Sequence, residues 1–187
     1  MHDVALLALA FGVALAVVLT LSITGQAIVH WRLSIALRAG ARHAEFVGRS
    51  VGVVPGRGIA LVAGIRRPAT YLSNDVVAVL SADELAAVIA HERHHERARA
   101  PFRLIVLAGI AIPFRFVPPI GRWVERARGR IEIEADAAAL AEGSSRLAIA
   151  RAIIKLGHEQ STPTGFASFA SSADLRLRAL LDAEGER

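Results

Sequence analysis

The stretch SADELAAVIAHERHHE, residues 81–96, decides the fold, because it joins a clear helix start to one His-Glu-x-x-His unit. Ser81 and Glu84 have the spacing of a capping box, in which each side chain binds a backbone N–H of the first helical turn. Apolar residues then recur every three or four positions, and His95 falls on the same face. The pattern therefore predicts a helix that carries the histidines on its buried side.

The spacing of His91 and His95 suits a metal ion. Residues four apart on a helix project from one face, so both imidazoles can bind one zinc ion. Glu92 lies next to that face, where its carboxylate can take a proton from a zinc-bound water. The alternative is a chance match within a solvated, Arg- and Glu-rich stretch, although the buried face disfavours it. No role is assigned to His94, which is typical of a helix flank.

A second helical segment, Arg122 to Glu142, contains two acidic residues one turn apart, Glu132 and Asp136. Such a pair is usually a solvated face beside arginines. Next to a His-Glu-x-x-His helix, Glu132 becomes the candidate third metal ligand, because catalytic zinc takes three protein ligands and a water. Asp136 is then expected to accept a hydrogen bond from a ligating histidine and so fix its tautomer. Glu134 points elsewhere around the helix.

The N-terminal region predicts a membrane anchor. Val4 to Thr24 is apolar throughout, and about 20 such residues can cross a bilayer. A cleaved signal peptide is the competing interpretation, but the run is long and no basic residue precedes it. The positive-inside rule places the chain from residue 26 onward in the cytoplasm, at a cell membrane crossed once. That rule rests on the arginines that follow the run: Arg32, Arg38, Arg42 and Arg49.

The composition of the 187 residues agrees with membrane contact, since 53% are hydrophobic. Cysteine is absent, which excludes disulfides and thiol chemistry. The net charge of +5 comes almost wholly from arginine. A membrane-tethered nucleic-acid binder is one alternative, but no nucleic-acid motif accompanies the charge, so no nucleic acid is expected as a partner. A basic face beside anionic lipid explains the charge more simply.

Between Val51 and Ser73, short β-prone runs are broken by glycine and proline, which predicts a small sheet of two or three strands. The strand from Ala69 to Ser73 is the candidate edge that pairs with an extended peptide. An ordinary covered edge strand is the alternative. The residues assigned to this substrate strand are Tyr71, Leu72 and Ser73.

The stretch from Phe102 to Ile120 is apolar but contains arginines and prolines, so it is a poor transmembrane helix. A single crossing would also separate Glu132 from the histidines. We expect two short helices, bent between Pro113 and Pro119, that dip into the membrane or pack on the domain.

Further on, residues 160–172 form either a loop over the cleft or a surface loop. In the final helix, Arg176 and Arg178 face substrate or solvent.

The segments AAVIAHERHH (residues 86–95) and EIEAD (residues 132–136) resemble those of membrane-bound gluzincin metallopeptidases, as does the lead-in LSADEL (residues 80–85). The most similar groups are the HtpX-like and CAAX-prenyl-protease-like enzymes and the BlaR/MecR-type sensor peptidases. The resemblance implies that His91, His95 and Glu132 bind one zinc ion per chain. It also implies that Glu92 is the general base.

These observations predict a mostly helical α+β protein with three regions. Residues 1–26 are the transmembrane anchor, residues 27–50 a basic juxtamembrane helix or linker, and residues 51–187 the zinc metallopeptidase domain. The predicted function is hydrolysis of peptide bonds in a protein or peptide substrate at the cytoplasmic face of the bilayer. The alternative is a catalytically inactive membrane adaptor or scaffold that retains the peptidase fold.

Overall fold

The computed structural model describes residues 2–159 and 173–182 and is mostly helical with one small sheet. The predicted class, a mostly helical α+β fold with a long apolar N-terminal helix, is confirmed. The elements in chain order are α1 His2–Gly40, β1 Arg42–Phe46, β2 Arg49–Val54, β3 Ala60–Ala63, β4 Ala69–Ser73, α2 Asn74–Val79, α3 Ala82–Arg97, α4 Ala100–Ala111, α5 Pro118–Ala141, α6 Arg146–Glu159 and α7 Ala173–Asp182. The predicted loop at residues 160–172 lies outside the described residues.

The sheet has four strands in the order β1-β2-β4-β3. Strands β3 and β4 form an antiparallel hairpin, and β4 also pairs in parallel with β2. The prediction that Ala69–Ser73 is an edge strand is therefore wrong. Both of its edges are hydrogen-bonded, because β4 pairs with β3 on one side and with the earlier strand β2 on the other. Strand β3, residues Ala60–Ala63, is the edge on this side of the sheet.

The first strand was not predicted. Strand β1 pairs antiparallel with β2 through a tight turn at Val47 and Gly48, both of which have positive φ angles. Two consecutive residues with positive φ are typical of the two-residue turn that matches the twist of a hairpin. The predicted boundary between residues 50 and 51 consequently falls inside β2, and β1 belongs to the sheet and not to a linker.

Helix α1 is long and apolar enough to span a membrane. Its N-terminal part is exposed, whereas one stripe from Leu15 to Leu37 is half-buried or buried. Helix α4 packs along this stripe, and Gly109 permits the contact, since a Cβ there would lie 2.4 Å from Cγ1 of Ile23. The α1–α4 pair therefore depends on a glycine.

Of the two short helices predicted in Phe102–Ile120, the first is present and the second is not. Helix α4 forms and ends at Ala111, but the second helix is the start of the long α5. Pro118 and Pro119 occupy the first turn of α5, where a missing N–H costs nothing. The prolines therefore begin a helix here.

The main core lies between the sheet and the helices α3 and α6. Leu72 of β4, Val88 of α3 and Ile153 of α6 are fully buried within it. Helix α5 packs against α3 on the other side and also contacts α4 and α7. Helix α3 is thus surrounded, and its histidines face α5.

Candidate metal centre

Helix α3 begins as predicted. The Ser81 N–H donates to Oε2 of Glu84 at 2.8 Å, and the Glu84 N–H donates to the Ser81 hydroxyl at 3.4 Å, so both halves of the capping box are present. Nζ of Lys155 also contacts Oε2 of Glu84 at 2.6 Å, which ties α6 to the start of α3. The helix that carries the histidines is therefore fixed at its first turn.

The two histidines of α3 and Glu132 of α5 converge on one point. Nε2 of His91 lies 3.0 Å from Nε2 of His95, and Oε2 of Glu132 lies 3.4 Å from Nε2 of His91. Oε1 of Glu132 lies 3.7 Å from Nε2 of His95. All three residues are buried, and one ligand atom from each lies within 4.8 Å of the others. This group can hold a metal ion.

The separations fit a small tetrahedral ion. Bonds of about 2.0–2.1 Å at tetrahedral angles place neighbouring ligand atoms about 3.3 Å apart. The observed nitrogen and oxygen separations of 3.0 to 3.7 Å bracket that value. The donor set of two imidazoles and one carboxylate is also one that divalent transition metals accept. Both the geometry and the chemistry of the three residues therefore suit such an ion.

Asp136 lies where the sequence predicted it. Its Oδ1 is 2.9 Å from Nδ1 of His91, so the carboxylate can accept a hydrogen bond from that nitrogen while Nε2 is directed at His95 and Glu132. Glu134, on the other side of α5, is exposed and pairs with Arg103. His94 is only partly buried, at 6.4 Å between its ring centre and that of His95. Neither Glu134 nor His94 belongs to the group.

Arg176 is the functional residue that sequence reasoning did not place. It faces neither substrate nor solvent, because its side chain is fully buried against Asp136 and Glu132. Nε donates to Oδ2 of Asp136 at 2.7 Å, Nη2 donates to Oδ1, and Nη1 lies 3.5 Å from Oε2 of Glu132. One signal was available, since Arg176 lies one helical turn before the buried Leu180. Arg178 is exposed.

The charges of the centre are tightly coupled. Burial alone would raise the pKa of Glu132, but hydrogen bonds from His91 and His95 outweigh it and lower that pKa to about 2. Burial likewise opposes ionisation of Asp136, yet its contacts with His91 and Arg176 keep its pKa below the usual range. Both carboxylates are therefore ionised at neutral pH and attract a cation.

The pKa of Glu92 is shifted in the opposite direction from the pKa values of Glu132 and Asp136. It is buried beside the histidines, and burial raises its pKa although the neighbouring imidazoles oppose the change. For His91, burial and Arg176 lower the pKa, but hydrogen bonds with Asp136 and Glu132 prevail and raise it. In the metal-free centre the pKa values of Glu92 and His91 are therefore both raised, whereas those of Glu132 and Asp136 are lowered.

The predicted substrate strand does not present its backbone to a ligand. Tyr71, Leu72 and Ser73 are buried within β4, whose two neighbours use its hydrogen-bonding groups. Oγ of Ser73 accepts a hydrogen bond from the Ile59 N–H at 2.9 Å, so this side chain closes the hairpin. These residues support the sheet next to α3.

The chain matches no protein-family model, and neither a curated protein nor a solved structure was found that is similar to it. The interpretation of the centre therefore depends on its own residues.

Proposed function

We propose that the protein is a membrane-anchored zinc metalloendopeptidase of the gluzincin type. The observation that supports this most strongly is the convergence of His91, His95 and Glu132 from two helices, with Glu92 buried beside them. Two imidazoles and one carboxylate leave a fourth tetrahedral position for a water, which is the arrangement of catalytic zinc sites. One zinc ion per chain is the expected cofactor.

In this proposal each residue has a separate task. Zinc held by His91, His95 and Glu132 would supply an acidified water and would polarise the substrate carbonyl. Glu92 takes the proton from the attacking water and delivers it to the leaving amine nitrogen. Asp136 accepts a hydrogen bond from Nδ1 of His91, which makes Nε2 the metal-binding nitrogen, and Arg176 holds Asp136 in place.

The substrate class is a protein or peptide, and the working place is the cytoplasmic face of a membrane. Helix α1 is long and apolar enough for an anchor, and arginines follow its apolar part. Under the positive-inside rule these arginines keep the remainder of the chain in the cytoplasm. The partners are therefore a polypeptide and the lipid bilayer.

The test compares the full chain in detergent with its Glu92→Gln variant. We expect both to bind one equivalent of zinc, while cleavage of casein and self-cleavage fall by about 10²–10⁴-fold in the variant. The matched control is Glu134→Gln, which neutralises an exposed carboxylate on α5 and should leave both properties unchanged.

Each failure of this test has a distinct meaning. Absence of zinc from the wild type, or full activity of Glu92→Gln, would refute the mechanism. Stoichiometric zinc with no cleavage by the wild type would favour the inactive adaptor or scaffold.

A further inference from the structure

Residues 112–120, which are the segment that joins α4 to α5 and the first three residues of α5, form an apolar corner with little covering it. Ile112, Phe116 and Val117 are 44%, 79% and 39% exposed. Trp123, on the first turns of α5, is 47% exposed. Exposed apolar groups that cluster in this way mark a contact with another apolar phase or partner.

The position of this corner along α1 identifies that phase. Helix α4 begins in the domain, where Ala100 packs with Val124 and Ile131, and reaches Ile23 of α1 at Gly109. Its last turn therefore continues toward the N-terminal half of α1. The half-buried stripe of α1 extends in the same direction to Leu15.

The depth of the corner in the bilayer follows from the geometry of α1. Leu15 lies about 12 Å from Ile23 along the axis at 1.5 Å per residue. The corner therefore lies beside the apolar run Val4–Thr24 and not beyond its cytoplasmic end. A hydrocarbon core is about 30 Å thick, so a segment at this depth enters one leaflet and does not cross.

The polar side chains around the corner fit the same depth. Arg115, Arg122 and Arg126 are all exposed, and the guanidinium of Arg115 lies 4.5 Å from the centre of the Phe116 ring. Long arginine side chains can reach the headgroups while their stems stay among acyl chains. Trp123 lies about one and a half turns into α5, where an indole at the interface is favourable.

We propose that the corner at residues 112–120 inserts into the cytoplasmic leaflet beside α1 and forms a second membrane attachment of the domain. The proposal rests on the anchoring role of α1 within the proposed function, but not on zinc or on peptide hydrolysis. The partner is the bilayer itself, with Phe116 among the acyl chains and the arginines at anionic headgroups.

The absence of native cysteine allows a direct test. Single cysteines are introduced as Phe116→Cys, Leu9→Cys and Ala137→Cys in a Glu92→Gln background and labelled with the fluorophore NBD. The full chain is reconstituted in phosphatidylcholine–phosphatidylglycerol vesicles. All three positions are exposed on the protein, so labelling should not disturb packing. Ala137 is the matched control, because it lies on α5 about 28 Å from the corner.

We expect the labels at positions 9 and 116 to emit at shorter wavelength and to be quenched by brominated acyl chains. The label at position 137 should instead be quenched by aqueous iodide. If position 116 behaves like position 137 while position 9 is quenched by lipid, the corner is outside the bilayer and the proposal is overturned, although the anchor stands. If position 9 is also open to iodide, anchor and corner both fail, and the zinc and protease assays are unaffected.

Discussion

Arg176 contributes a buried positive charge to a centre that also attracts a metal cation. Asp136 explains how both can be present, because its carboxylate binds the guanidinium through both oxygens and also contacts Nδ1 of His91 through Oδ1. The arginine thus balances the carboxylate that orients the histidine. Nε2 of His91 remains on the far side of the ring, facing His95 and Glu132.

Replacing Asp136 by asparagine should weaken zinc binding. The variant keeps the shape of the side chain but loses the negative charge that makes His91 a better ligand. We expect the dissociation constant for zinc to rise about 10–100-fold, measured by competition with a chromophoric chelator. Asp83→Asn, at an exposed position on α3, is the control and should bind as tightly as the wild type. Equal affinities for the two variants would contradict the role of Asp136.

Replacing Arg176 by leucine should destabilise the metal-free protein by about 3–5 kcal/mol, because two buried carboxylates lose their counter-charge. Arg178→Leu removes an exposed guanidinium from the same helix and should change the stability by less than about 0.5 kcal/mol. Denaturant unfolding in the presence of chelator measures both. Similar stabilities would show that Arg176 is not needed to balance the centre.

As the pH is lowered, the affinity for zinc should begin to decrease at a higher pH than it does for a site built from histidines of ordinary pKa. The pKa of His91 is raised in the metal-free protein, so the ring holds its proton to a pH above the usual 6.5. Zinc must displace that proton, and the apparent affinity therefore decreases as the pH falls through the raised pKa. Chelator competition between about pH 8 and about pH 5.5 measures this decrease. An affinity that stays constant down to the ordinary pKa would contradict the expectation.

At the scale of elements, local signals predicted the helices that carry the centre. The capping box fixed the start of α3, and the four-residue spacing of Glu132 and Asp136 placed both on the inner face of α5. The order of the strands could not be obtained in this way. The strand order depends on the pairing of β2 with β4, which are separated in sequence by β3. The residue pattern within β4 does not indicate which strands are its neighbours.

Gly52 in β2 offers a test of this pairing. A Cβ at this position would lie 2.7 Å from Cδ1 of Tyr71 in β4, so Gly52→Ala should destabilise the protein by about 1–3 kcal/mol. Gly121→Ala, in α5 with nothing within 4 Å, is the control and should be neutral or stabilising by up to about 1 kcal/mol. Thermal unfolding compares the two, and a neutral Gly52→Ala would contradict the close β2–β4 contact.

At the scale of the whole molecule, the site could be predicted only in part. The candidate metal-binding residues occur in recognisable motifs on α3 and α5, whereas Arg176 reaches Glu132 and Asp136 from α7, 40 residues after Asp136. The one-turn spacing of Arg176 from Leu180 indicates which face of α7 it shares, but nothing in the sequence identifies Asp136 and Glu132 as its partners. The pairing of α4 with α1 was likewise hidden, because Gly109 acts through its missing side chain.

The orientation of the molecule across the membrane is testable by fusion. The arginines that follow the apolar run predict that the domain stays in the cytoplasm. In a bacterial host, green fluorescent protein joined after residue 187 should fluoresce, whereas alkaline phosphatase at the same place should be inactive. The reverse pattern would place the centre on the other side of the membrane.

The distance in sequence between Arg176 and its carboxylate partners sets an order of events during synthesis. His91, His95, Glu132 and Asp136 all leave the ribosome before the guanidinium that neutralises the acids. The nascent chain therefore carries an excess of negative charge at this point until α7 docks. We expect the buried group of His91, His95 and Glu132 to reach its final packing late, only after translation has passed α7 and Arg176 can dock.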